Sequence, residues 1–290
     1  MYYIDKSERN FLKYLLIGTC VVTNTLSFFC FLLEVFIHPS SFYLVSLLFT
    51  GGMFVVPRFT AEMRHNKDKN TKNIYDILFV LYGAITHSIC SLSVGLAGDK
   101  PWGCSITQPF DCDMNHPGVW GAFFFAIASI TGHAFGWEKI AIQRMTKVWI
   151  GVDDFDKTNK MHEEKLKQFS KHVEDSYIWS LLSFLILLIF SVVEIINNNW
   201  EMSLLYIAAL FFVGFFKPIK LFLDVGKGEK FSSYRKNMFF SVINITLIVW
   251  AVGLNWFKLG KNIQLKKNIS IEVVKTLSIT LVAFIQHFHI

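Results

Sequence analysis

The stretch "LLSFLILLIFSVV", residues 181–193, holds two serines and no charged residue. Apolar and polar residues do not alternate in it, so it is no strand of a membrane barrel, whose two faces differ at every second position. Backbone groups in hydrocarbon must pair within their own segment, and an α-helix achieves this. Similar runs recur along the chain. They predict spans near 11–37, 41–57, 74–97, 119–138, 176–196, 203–223 and 238–257. A further run lies near 274–290, where "TLSITLVAFIQHFHI" has only 15 residues. A span needs roughly 20, so the sequence leaves open whether this eighth run crosses. The expected fold is all-α: one polytopic transmembrane helix bundle occupying 1–290.

Composition supports a bilayer as the main solvent. Of 290 residues, 53% are hydrophobic, 17% are charged and 30 are Phe. Soluble chains carry roughly 25% charged residues. The start of the chain is charged, and the apolar run that follows to Ile37 exceeds a signal h-region of about 7–15 residues. It reads as an uncleaved first span. The net charge of +6 does not point to nucleic acid, because the positive residues are sorted into connectors. Counted connector by connector from the N-terminus to residue 237, Lys and Arg number 3, 0, 5, 1, 8, 0 and 6. Positive connectors face the cytoplasm. The N-terminus and the long 139–175 loop are therefore expected inside, and 98–118 outside. Residues 258–275 break the pattern: they hold five lysines where an outer segment is expected.

The outer connector contains "DKPWGCSITQPFDCDMNHPG", residues 99–118. Cys104 and Cys112 lie in it, and paired cysteines outside the cytoplasm usually oxidise. A disulfide between them would cap this loop. A metal site built on Cys112-x3-His116 lacks the two tight ligand pairs usual for structural zinc, so no metal is expected. Cys20, Cys30 and Cys90 fall inside spans and read as packing residues.

The connector runs into "MNHPGVWGAFFFAIASIT", residues 114–131. This piece resembles the damage-regulated autophagy modulator family, in which a similar His and Gly open the fourth span on the non-cytoplasmic side. His116 and Gly118 are the positions that carry over. The resemblance implies six spans, a cytoplasmic N-terminus and a non-enzymatic regulatory role in a lysosomal or plasma membrane. The chain departs from that pattern in its nearly absent first outer loop, its longer 139–175 loop and the apolar runs after residue 237.

Ionisable groups inside a membrane are costly and each is a site hypothesis. His87 and His133 sit on consecutive antiparallel spans. Either they hydrogen-bond neighbouring helices or they belong to a path for protons or cations. Haem ligation between them suits poorly: by span position their heights differ by roughly 12 Å at ~1.5 Å per residue. Asn24 and Asn244, with Thr23, Thr25, Thr246 and Asn255, either tie helices together or line a route. Glu34 and Glu194, near outer span ends, are expected to reach headgroup water. In the 139–175 loop, "KIAIQRMTKVWIGV" is either a basic amphipathic helix on the inner leaflet or an extension of span four. "DDFDKTNKMHEEK" fails as a calcium loop, with Asn159 and Lys165 where Gly and Glu belong.

No nucleophile elbow, zinc-protease helix or phosphate loop occurs, and no cofactor is expected. The sequence therefore points to a non-enzymatic membrane protein with a regulatory or structural role. A transporter or channel using His87, His133, Asn24 and Asn244 is the alternative. The expected partner is the lipid bilayer, with a second copy of the chain left open. The plasma or endolysosomal membrane is the expected location.

Overall fold

A computed structural model describes residues 6–65, 69–97, 116–149, 160–211, 234–267 and 269–288. Among them are eight helices and no strand: α1 (Lys6–Ile37), α2 (Ser41–His65), α3 (Lys69–Ala97), α4 (Pro117–Trp149), α5 (Lys160–Ile196), α6 (Trp200–Leu210), α7 (Tyr234–Gln264) and α8 (Ile269–Phe288). The all-α expectation is met. The final apolar run, open in the sequence, is a 20-residue helix. By length and composition, three described stretches can cross a membrane: Tyr14–Ile37, Ile178–Ile196 and Val242–Gln264. Ser41–Val56, Leu81–Ala97 and Trp200–Leu210 are shorter apolar helices. Residues 139–149 continue α4, so the beginning of the long loop is an extension of the fourth helix. Cys104, Cys112 and their expected disulfide, residues 150–159 of the loop, and the end of the 203–223 span lie outside the described residues. Cys20, Cys30 and Cys90 are free.

Local chemistry sets the short connections. Pro39 follows α1, and the Ser40 hydroxyl accepts from the Phe42 N–H at 3.3 Å to cap α2. The end of α5 turns at Asn198, with φ 57°; Asn199 N–H reaches back to the Glu194 carbonyl at 2.8 Å. The end of α7 repeats this closure, with Lys266 at φ 53° and Lys267 N–H on the Asn262 carbonyl at 2.9 Å. Both are left-handed helix stops of the Schellman kind.

The helices pack into two halves. Phe31, Tyr43, Met53, Cys90, Val94, Val119 and Phe125 form a core shared by α1–α4. Leu187, Tyr206, Ile248, Val252, Ile279 and Val282 belong to a second core shared by α5–α8. The seam between halves is α3 against α7. There Gly95 and Gly260 play reciprocal parts. A Cβ on Gly95 would collide with the Phe257 carbonyl, and one on Gly260 would collide with that of Leu92. Such close backbone approach is what small residues permit between apolar helices. It also fixes the direction of the halves, because the C-terminal ends of α3 and α7 meet at the same end of the bundle.

Two helices turn polar residues inward and apolar ones outward. On α1, Leu15, Val22, Leu26, Phe29, Leu33 and Phe36 are exposed, while Thr23, Asn24, Ser27 and Glu34 are buried. On α5, Ile178, Leu181, Leu185, Ile189, Val192 and Ile196 are exposed, while Ser183, Ser191 and Glu194 are buried. Soluble helices show the reverse. Gly260→Val is expected to force α7 off α3 and cost about 1–3 kcal/mol, the usual range for overpacking. A lowered unfolding midpoint of the detergent-purified protein would register it; an unchanged midpoint would contradict the seam.

Candidate functional site

Two buried carboxylates organise the end of the bundle at which α1 turns into α2. Both correct the expectation that they reach headgroup water, since Glu34 is 0% and Glu194 1% exposed. Each stands in the last turn of its helix, ahead of a short turn and the next helix.

Glu34 joins α1 to α4. Its Oε2 accepts from the backbone N–H of Gly118 at 2.6 Å. Pro117 opens α4, a favoured first position because its missing N–H would have no helical partner. The next N–H then points at the carboxylate, and the positive end of the helix dipole favours the anion there. Glu34 Oε1 lies 2.9 Å from His38 Nδ1 and 3.4 Å from His116 Nδ1. The two rings lie with centroids 4.7 Å apart. A Cβ on Gly118 would meet the Tyr43 ring at 2.9 Å and Glu34 Cγ at 3.1 Å. Thus His116 and Gly118, the two positions singled out in the sequence, both face one buried acid. His38 stands four residues after Glu34, a spacing at which side chains at a helix end meet, so this pair has a local signal; His116 lies 82 residues from Glu34 and no spacing rule connects those two.

Glu194 joins α5 to α8 by a different chemistry. Lys275 Nζ donates to Glu194 Oε1 at 2.5 Å and to Glu272 Oε1 at 2.8 Å. Asn199 Nδ2 donates to Glu194 Oε2 at 2.6 Å. Lys258 of α7 stands 3.7 Å from Glu194 and 3.9 Å from Glu272. Two acids and two lysines make the cluster neutral, which is how buried charge is tolerated. Two of the five lysines at 258–275 have their physical reason here. Lys275 is buried and Lys258 is held by the acids, while Lys266 and Lys267 are exposed at the α7–α8 turn.

The other polar residues tie helices together. His87 Nε2 donates to the Val249 carbonyl at 3.0 Å across the α3–α7 seam. Gly253 leaves room for it, since a Cβ there would lie 2.8 Å from that nitrogen. Asn24 Nδ2 donates to the Thr50 carbonyl at 3.4 Å, α1 to α2. Ser27 Oγ donates to the Gly121 carbonyl at 2.7 Å, α1 to α4. Tyr206 donates to Asn255 Oδ1 at 2.8 Å, and the Asn255 carbonyl accepts from Thr276 at 3.3 Å, linking α6, α7 and α8. Asn255, one of the wider set noted in the sequence, is thus the centre of the second half. Thr23, Thr25 and Thr246 donate to carbonyls of their own helices. Asn244 is buried on α7.

His133 and His87 differ in their surroundings. His133 lines a small cleft with Cys20, Met53, Gly83, Phe125, Ala128, Ser129 and Gly132; His87 does not line it. The chain matches no known family model, no curated protein and no solved structure.

Lys275→Met is expected to cost about 3–5 kcal/mol, because it leaves buried carboxylates without their nearest cation. Adding Glu194→Gln to that variant should recover most of the loss. Unfolding midpoints of the wild type, the two single variants and the double variant measure the coupling. Additive losses would refute a buried ion pair.

Proposed function

We propose that the chain is a multi-pass integral membrane protein with a structural or regulatory role and no reaction chemistry of its own. The observation that carries this reading is the inverted sorting of residues. Continuous apolar stripes run along the outsides of α1 and α5, and acids, amides and hydroxyls lie inside. An exposed apolar surface of that extent is unfavourable in water and suits a lipid surround. Tyr14–Ile37 has 24 residues, about 36 Å of helix at ~1.5 Å per residue, against a hydrocarbon core of ≈ 30 Å.

Seven spans with a cytoplasmic N-terminus follow from the lysine and arginine count, and α8 makes an eighth. In that topology the Glu34 and Glu194 clusters both face away from the cytoplasm. The structural or regulatory role is supported by the use of His87, Asn24, Asn255 and Tyr206 as inter-helix ties rather than as the wall of a water-filled route. The resemblance around His116 and Gly118 points the same way and proposes the plasma or endolysosomal membrane. The transporter reading is favoured by the cleft holding His133 and the buried Ser129 hydroxyl, and by Ser129 Oγ, His87 Nδ1, Asn24 Oδ1 and Asn244 Oδ1, which are buried with no hydrogen-bond partner among the described residues.

Sidedness is tested by a short epitope inserted after Lys266. It should be stained on intact cells or on the lumenal side of sealed organelles, whereas an N-terminal epitope should need permeabilisation. Staining of both on one side would overturn the topology. Role is tested in proteoliposomes. Protein-bearing vesicles should pass protons and K⁺ no faster than empty ones, and His87→Ala should lower only the unfolding midpoint, by about 1–3 kcal/mol. A flux present in the wild type and lost in His87→Ala would select the transporter instead.

A further inference from the structure

We propose that Glu34, His38 and His116 form a binding site for one divalent transition-metal ion of the Zn²⁺ class. Their ligand atoms all lie within 4.8 Å of one another. A tetrahedron with bonds of about 2.05 Å has edges of about 3.3 Å. The distances from Glu34 Oε1 to the two Nδ1 atoms, 2.9 Å and 3.4 Å, bracket that edge. The third edge, between the two imidazoles, is bounded at 4.8 Å, and the rings must turn toward each other for three ligands to meet on one ion. With each ring proton on Nε2, each Nδ1 presents a lone pair, the form in which histidine binds metal. Two imidazoles and one carboxylate suit Zn²⁺ or Co²⁺ better than the oxygen-seeking Mg²⁺ and Ca²⁺. The fourth position falls to water.

Charge balance is consistent with an ion. Glu34 is 0% exposed; the Gly118 N–H serves its Oε2, and a cation at Oε1 would neutralise the buried carboxylate. Glu194, in the equivalent place of the other half, has Lys275 and Lys258. The charged or titratable side chains paired with Glu34 among the described residues are His38 and His116. Charging both imidazoles would set two cations at a ring separation of 4.7 Å. A single divalent ion neutralises the carboxylate and leaves both rings uncharged. The Gly118 N–H on Oε2 meanwhile holds the carboxylate in place, as outer partners of metal ligands do. The ion would thereby fasten the end of α1 to the beginning of α4. The inference rests on this geometry alone and does not depend on which side of the membrane the site faces.

The test uses the full chain without an affinity tag, purified in detergent and stripped with a chelator. Titration with Co²⁺ should raise a visible ligand-field band of four-coordinate intensity that saturates at one equivalent and is displaced by Zn²⁺. Saturating Zn²⁺ should raise the unfolding midpoint by about 5 °C, a shift of the size expected for a ligand held well above its dissociation constant. His116→Ala and Glu34→Gln should each abolish the band and the shift. Glu34→Gln keeps an acceptor for Gly118. Should it still fail to fold, His38→Ala keeps the test open, since its side chain is 51% exposed at a helix end. Absence of the band in the wild type would overturn the site. A band that survives in both histidine variants, or one with thiolate charge-transfer absorption, would place the ion elsewhere and overturn it equally.

Discussion

The structure depends on one constraint: a carboxylate enclosed in this bundle must find its hydrogen-bond donors and cations within the protein. Glu34 and Glu194 meet it most severely. Each is a carboxylate with essentially no exposure, and leaving either unpaired would cost several kcal/mol. The positions of α4 and α8 follow, because each brings the partners its acid requires. Gly118 and His116 come from the start of α4; Glu272 and Lys275 come from the first turns of α8. The Ser27 bond to Gly121 then fixes register along α1 and α4, and the Tyr206 bond to Asn255 ties α6 to α7 in the other half.

The two halves solve one geometric problem with different chemistry. In each, an acid in the last turn of a helix precedes a short turn and binds the start of a later helix. The reciprocal contact of Gly95 and Gly260 places the halves side by side with the same polarity. No repeat is visible in the sequence, because what recurs is the position of an acid and the site of a close approach. The residues answering those positions differ: His38 and His116 in one half, Lys258 and Lys275 in the other.

That difference explains what could be read from the sequence and what could not. Long uncharged runs such as 181–193 announce helices, since a greasy segment has no other means of satisfying its backbone. The helices fall where those runs lie, and His116 with Gly118 marks a genuine junction. Pairings between distant residues leave no comparable trace. Glu34 sits close to a span end that suggests headgroup water, and only the packing of α4 shows it to be enclosed. His38 lies just past the end of α1, and its only local signal is its place four residues after Glu34. Lys275 registers in a charge count as one more loop lysine, although it is buried 2.5 Å from Glu194. Charge counting treats every lysine as solvated, and it fails where a lysine answers an acid.

The source of counter-charge separates the two clusters. Lys275 and Lys258 bring the α5–α8 junction its cations from within the chain. Imidazoles bind metal when neutral. The proposed ion would bring the α1–α4 junction its counter-charge from outside the chain. A ligand shifts an equilibrium only by its differential affinity for the two states, and an ion that needs ligands from both α1 and α4 has high affinity only for the closed junction. If this bundle responds to its surroundings by a change of packing, the physics assigns that response to α1 against α4, while α7 and α8 hold the other half fixed.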